Sequence, residues 1–108
     1  MGNTLGEFEQ LVMLAVVRLD EDAYGAAIGT ELKERAERDA SPGAIFTTLE
    51  RLEARGLVTS RYGEPTAERG GRRKRFYRLS VEGRRALARS LRSVRRMAQG
   101  LDPRLERS

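Results

Sequence analysis

Cysteine, histidine and tryptophan are all absent from the 108 residues, and only three prolines, three phenylalanines and three tyrosines are present. Without cysteine there is no disulfide framework, thiol nucleophile or zinc–thiolate site, and nothing points to an oxidising compartment. The missing imidazole removes the usual general base, the catalytic triad and the common haem and zinc ligands. Carboxylates alone remain for chemistry. Glu7, Glu9, Glu50 and Glu53 each read more simply as helix surface, so no enzyme, metal site or cofactor is expected. Long apolar runs are missing too: the longest, Leu11–Val17, has seven residues, where a membrane span needs about 20. The opening MGNTLGEFEQ lacks the basic-then-apolar pattern of a secretory signal. The expectation is a single soluble, intracellular domain with no membrane partner.

Charge is plentiful but unevenly placed. Lys and Arg number 21 against 16 Asp and Glu, for a net charge of +5. Residues 1–50 hold 4 basic and 10 acidic side chains, whereas residues 51–108 hold 17 basic and 6 acidic. This suggests an acidic face turned to solvent or protein and a basic face turned to a polyanion. Nineteen of the 21 basic residues are Arg, whose planar fork suits phosphate and guanine. An Arg-rich genome writing Arg at ordinary surface positions is the plain alternative.

Apolar periodicity lays out four helices and a hairpin. Leu5, Phe8, Val12, Val16 and Leu19 recur in steps of 3 and 4, with Leu11 and Ala15 beside them. Asp20-Glu21-Asp22 interrupts the pattern, and Asp22 is expected to cap a second helix carrying Tyr24, Ile28 and Leu32. Gly25 and Gly29 within it suit a close helix crossing. Ser41-Pro42 opens a third helix, with Ser as N-cap and Pro at the first helical position. Ile45, Leu49 and Leu52 form its apolar face, and Gly56 supplies a left-handed stop. Leu57–Tyr62 and Arg75–Ser80 read as strands whose twelve-residue connection, Gly63–Lys74, is too long for a tight turn. Phe76 and Tyr77 fall on opposite faces of their strand, so they cannot both serve the same surface. Ser80 caps a last helix with Leu87, Leu91, Val94 and Ala98, extended by Leu101 and ended by Gly100 and Pro103.

These elements describe a mainly α protein with a small β-hairpin. The expected organisation is a winged helix-turn-helix at residues 1–80 with its wing at 57–80, a dimerisation helix at 81–100 and a polar tail at 101–108. In such a fold the third helix enters the major groove of double-stranded DNA. Thr47, Thr48 and Arg51 lie on the face that the apolar stripe leaves free, and they are the candidates for base contact, Arg51 with guanine. Ser41 and Gly43 offer the helix N-terminus to phosphate, with Arg55 on the flank. The stretch Arg69–Arg78 places six basic residues in ten at the hairpin tip. Like charges so close repel one another, which an anionic partner relieves. Arg69, Gly70, Gly71, Arg72, Arg73, Lys74 and Arg75 are therefore assigned to phosphate. Addressing to an organelle or to anionic lipid fits the same cluster, as does a stripe with no partner. Phe76 and Tyr77 either pack in the core or meet nucleic acid.

Arg84, Arg85, Arg89, Arg92, Arg95 and Arg96 crowd the other faces of the last helix, so its apolar stripe needs a cover. A second copy supplies one, and Leu5, Phe8, Val12, Leu87, Leu91, Val94, Ala98 and Leu101 are the expected dimer contacts. Folding back on the first helix within a monomer is the other solution.

Leu5-Gly6-Glu7-Phe8-Glu9, Ala23-Tyr24-Gly25, the run from Gly43 through Glu53, Gly56-Leu57-Val58, the run from Gly70 through Ser80 and Gly83 together resemble the PadR family of bacterial transcriptional regulators, over roughly residues 5–100. The resemblance implies a homodimeric winged-helix repressor, cytoplasmic and associated with the nucleoid when bound, whose C-terminal helix packs against its partner. It also implies release by a small aromatic or cationic effector near the dimer interface. Two departures stand out. Phe46 replaces a frequent Tyr and loses any phosphate bond from that hydroxyl, and the last helix has no Trp to stack on a ligand. The short C-terminal helix is similar to the compact branch of the family. A winged-helix module that binds protein through its acidic half and a non-specific architectural DNA-binding protein are the rival readings.

Overall fold

The computed structural model describes residues 4–64 and 73–106. In chain order these form α1 (Glu7–Leu19), a 3₁₀ turn (Asp20–Asp22), α2 (Gly25–Ala36), α3 (Pro42–Ala54), β1 (Val58–Tyr62), β2 (Arg75–Leu79), α4 (Val81–Ala98) and α5 (Asp102–Glu106). The expected mainly α architecture with one hairpin is present. The strands pair antiparallel in the register Val58↔Leu79 through Tyr62↔Arg75. The core lies where α1, α2 and α3 converge on the hairpin: Val12, Met13, Ile28, Leu49, Leu52, Leu57 and Val58 are almost wholly buried.

Local chemistry accounts for most boundaries. The Ser41 hydroxyl accepts the Ala44 N–H at 3.1 Å, and Pro42 follows it at the first helical position. Such a cap satisfies one of the amides a helix leaves unpaired at its start. Gly56 ends the α3 segment with φ +76°, a conformation that a side chain disfavours. The cap of α2 differs from expectation: it is Tyr24, and Asp20–Asp22 form the 3₁₀ turn. The reason is a third pairing partner for the hairpin. Tyr24 is extended and follows a tight turn at Ala23, across which its N–H donates to the Asp22 carbonyl at 3.0 Å; the Tyr77 N–H donates to the Ala23 carbonyl at 2.9 Å, and Tyr24 bridges Phe76. Of the two glycines expected to admit a helix crossing, only Gly29 faces α3, where a Cβ would stand 3.3 Å from Ile45 Cδ1.

The start of α4 is docked onto the turn between α3 and β1. Ser80 Oγ accepts the Gly83 N–H at 2.9 Å and donates to the Gly56 carbonyl at 2.6 Å, while the Ser80 N–H donates to the Leu57 carbonyl. Gly83 sits so close to that turn that a Cβ there would overlap the Leu57 carbonyl oxygen. Gly83, Ala86 and Leu87 are buried, whereas farther along the helix Val94 and Met97 are 56% and 79% exposed. The far half of α4 therefore projects from the core. The radius of gyration, 15.6 Å, accordingly exceeds the roughly 13 Å of a compact domain this size.

Three expected dimer contacts are corrected by this packing. Leu5, Val12 and Leu87 are buried within the chain's own core at 6%, 0% and 5% exposure, because α1 and the base of α4 cover one another. Phe8 and Leu91 are partly buried against the same core. The segment expected to be a polar tail carries α5.

Gly83→Ala should lower stability by about 2 kcal/mol even though alanine is the better helix former, because overpacking of this kind costs roughly 1–3 kcal/mol. Gly25→Ala, whose Cβ meets nothing within 4 Å, should stay within about 0.5 kcal/mol of the parent in the same denaturant titration.

Candidate nucleic-acid interface

Successive side chains on α3 are about 100° apart, which divides the helix into two arcs. Ile45, Thr48, Leu49 and Leu52 fill the buried arc, and Gly43, Ala44, Phe46, Thr47, Glu50 and Arg51 the exposed one. Thr47 and Arg51 therefore stand free, with no hydrogen-bond or ion-pair partner among the described residues. Thr48 is corrected. It lies about 40° from Leu52 on the wheel and is only 8% exposed, so it faces the core. Ser41 and Gly43 are exposed at the helix N-terminus; the Ser41 oxygen serves as the cap, which leaves its hydroxyl hydrogen available to an acceptor.

Two arginines assigned to phosphate are engaged elsewhere. Arg55 pairs with Glu9 at 3.2 Å and donates to the Thr4 carbonyl at 2.9 Å. Glu9 also accepts the Gly6 N–H at 2.9 Å, so Arg55 ties the end of α3 to the start of α1. Arg75 leaves β2 to clamp α3: its Nη2 meets Glu53 at 2.8 Å and its Nη1 meets Glu50 at 3.2 Å. Its Nε donates to Ser60 Oγ at 3.1 Å, and that hydroxyl donates to Glu53 at 2.9 Å. Arg75 thus bridges two carboxylates on the helix, offsetting one of their two charges, and fixes the hairpin beside it. Burial works against its charge, but the surrounding Tyr77, Glu53 and Glu50 outweigh that and raise its pKa further. Burial pushes the Tyr77 phenol above its ordinary value, against the pull of Arg75.

Arg73 and Lys74 remain exposed at the base of the wing. The Lys74 ammonium stands 4.2 Å from the centre of the Tyr24 ring, and Arg61 lies 4.8 Å over Phe76. Phe76 in turn meets Tyr24 edge-on at 5.7 Å, while Tyr77 is 5% exposed. Both strand aromatics are thus engaged within the chain. Arg69, Gly70, Gly71 and Arg72 lie outside the described residues. A largely apolar groove of about 720 Å³ runs between α2, the start of α3 and the base of the wing, bordered by Gly29, Pro42, Phe46, Tyr62 and Lys74. Sequence reasoning gave no part to Tyr62, which is 62% exposed; its aromatic side chain near the strand end was the available signal. Among the described residues no cluster of acidic side chains is arranged to hold a metal ion, and no helix is long and apolar enough to cross a membrane.

A helical pair, α2 and α3, followed by a two-stranded wing whose cationic base flanks the exposed arc of α3, defines a winged helix-turn-helix. Residues 13–89 match the model of the transcriptional regulator PadR-like family, and the chain belongs to that family. It is 36% identical over 80 residues to the transcriptional regulator Rv3488 of Mycobacterium tuberculosis, covering 74% of this chain and 70% of that protein. The fold is similar to a PadR family transcription regulator from Clostridium difficile, with a TM-score of 0.71 at 22% identity over 91% of this chain and 98% of that one. It is also similar to Bacillus subtilis PadR solved in complex with operator DNA, with a TM-score of 0.64 at 21% identity over 82% of this chain and 48% of that one. The family is one of transcriptional regulators, and the reading that the chain is not an enzyme rests on that membership.

A double-mutant cycle on Arg75→Gln and Glu53→Gln should give a coupling on the order of 1 kcal/mol in equilibrium unfolding, as partly exposed charged pairs do. The coupling with Glu50→Gln should be smaller, because that pair is longer and more open. No coupling with either carboxylate would mean that Arg75 does not clamp α3 in solution.

Proposed function

We propose that this chain is a homodimeric, sequence-specific DNA-binding transcriptional regulator that represses by occupying its operator. The observation that carries the reading is the exposed arc of α3, where Thr47 and Arg51 have no partner among the described residues and stand beside the cationic base of the wing. A guanidinium projecting freely from such a helix suits the two major-groove acceptors of guanine. Ser41, Gly43, Arg73 and Lys74 are the described groups assigned to phosphate, together with Arg69, Gly70, Gly71 and Arg72 of the wing tip. The operator complex of Bacillus subtilis PadR, a protein of similar fold, supports double-stranded DNA as the partner.

Association through α4 belongs to the same reading. Leu91, Val94 and Ala98 follow one stripe along the projecting half of that helix, with exposed Met97 beside them, and Leu101 lies in the turn past its end. A second copy covers the stripe and sets two reading helices for half-sites about 34 Å apart. Release by a small-molecule effector, implied by the family resemblance, completes the proposal; no residue is assigned to it.

Selection of bound duplexes from a random library, followed by anisotropy titration at two salt concentrations, tests the function. A palindrome with two half-sites is expected; salt-sensitive binding with no enriched sequence would leave only an architectural role. Arg51→Ala should cost about 1–3 kcal/mol on the selected duplex and relax preference at one position. Thr48→Val should leave the preference unchanged. Removing the charges of Arg73 and Lys74 together should reduce the salt slope by about two. Val94→Glu with Met97→Glu should yield a folded monomer by light scattering; a persistent dimer would move the interface elsewhere.

A further inference from the structure

The exposed arc of α3 is not wholly polar. Phe46 lies at its edge, one residue before Thr47, and its ring is 50% exposed. Ile45 and Leu49, beside it on the helix, are 3% and 1% exposed, so the core is closed without the outer half of that ring. Phe46 also borders the apolar groove shared with Pro42, Tyr62 and Lys74. A surface that meets a polyanion through Arg73 and Lys74 thus presents, on the helix assigned to the bases, an aromatic ring with no hydrogen-bonding atom.

Such a ring has few favourable partners on DNA. Phosphate oxygens and the donor and acceptor edges of the bases all demand a polar group, which phenylalanine lacks. The apolar group that the floor of the major groove offers is the C5 methyl of thymine. Burying that methyl against an exposed ring removes apolar surface of both partners from water, whereas placing a polar base edge there leaves a donor or acceptor unsatisfied.

Resting on the assignment of α3 to the major groove, we propose that Phe46 is a specificity-determining residue that selects thymine by covering its C5 methyl group. The thymine belongs to the same half-site as the guanine assigned to Arg51. Thr47, between them in sequence, sets the position of the ring no more than one side chain away from a polar base contact. Discrimination comes from a methyl group alone, so it is small at each half-site and doubles in free energy across a two-fold dimer.

The probe is the duplex selected by the wild-type chain, with each thymine replaced in turn by deoxyuridine, which lacks only the methyl. At one thymine of each half-site the wild type should bind about 4-fold more weakly after replacement, the worth of one buried methyl-sized group. Phe46→Ala should bind the thymine and deoxyuridine duplexes equally at that position and keep any penalties found at other thymines. Phe46→Leu, which restores an apolar contact, should recover part of the discrimination. Because each ratio is taken within one variant, a reduced fraction of folded protein cancels from it. Equal penalties in wild type and Phe46→Ala, or no thymine at which the methyl matters, overturn the inference while leaving the regulator reading intact. Failure to enrich any sequence overturns both.

Discussion

The geometry of the proposed reading surface depends on one side chain, Arg75. The hairpin is joined to the rest of the fold by the turn after α3, the turn before α4 and the short pairing with Ala23 and Tyr24. Those links fix where the hairpin begins and ends; the guanidinium fixes its distance from the exposed face of α3. Its three nitrogens are all used, two on carboxylates one helical turn apart and one on the neighbouring strand. A lysine offers one charged nitrogen in place of this fork and cannot span Glu50, Glu53 and Ser60 together. The same contact eases an electrostatic difficulty for the proposed approach to DNA, because it offsets one of two carboxylate charges that would otherwise oppose phosphates.

A second set of contacts holds α3 from behind. Arg55 ends the helix against Glu9, Gly29 lets α2 come close at Ile45, and α4 presses its glycine against the Leu57 carbonyl. The helix is therefore fixed at its start by the Ser41 cap, along its buried arc by the core and at its end by an ion pair. What remains free on it is a narrow strip of small, polar and aromatic side chains. Rigidity of this kind favours discrimination, since a reading element that does not rearrange carries no ordering cost when it meets its partner.

Much of this was legible in the sequence. Steps of 3 and 4 among Leu5, Phe8, Val12 and Val16 marked α1, Ser41-Pro42 the start of α3, Gly56 its stop and Ser80 the cap of α4. Those features are local: periodicity and capping are decided within a turn or two of chain. The misreadings share the opposite property. Arg55 and Arg75 looked like free cations because their partners, Glu9 and the Glu50–Glu53 pair, lie far away in sequence, and charge alone does not say which partner wins. Thr48 was misplaced because a threonine at the edge of an apolar stripe carries a polar label and a buried location. Ala23 and Tyr24 gave no strand signal, since two residues are too few to show alternation, and their place beside the hairpin follows from pairing with β2. Leu5, Val12 and Leu87 were assigned to a partner copy because an apolar stripe does not reveal whether its own chain already covers it.

The proposed association through the projecting half of α4 has a genetic consequence. In a dimer joined through that helix, the ability to associate and the ability to read are carried by separate elements of the same small chain. A copy with a ruined α3 and an intact α4 still takes up a normal partner and leaves it with one reading head. When the two forms are made in equal amounts and pair at random, only one dimer in four is fully competent. The proposed dimer thus implies that lesions in α3 are dominant over the normal allele, while lesions that disable α4 withdraw the damaged copy from the pool and are recessive.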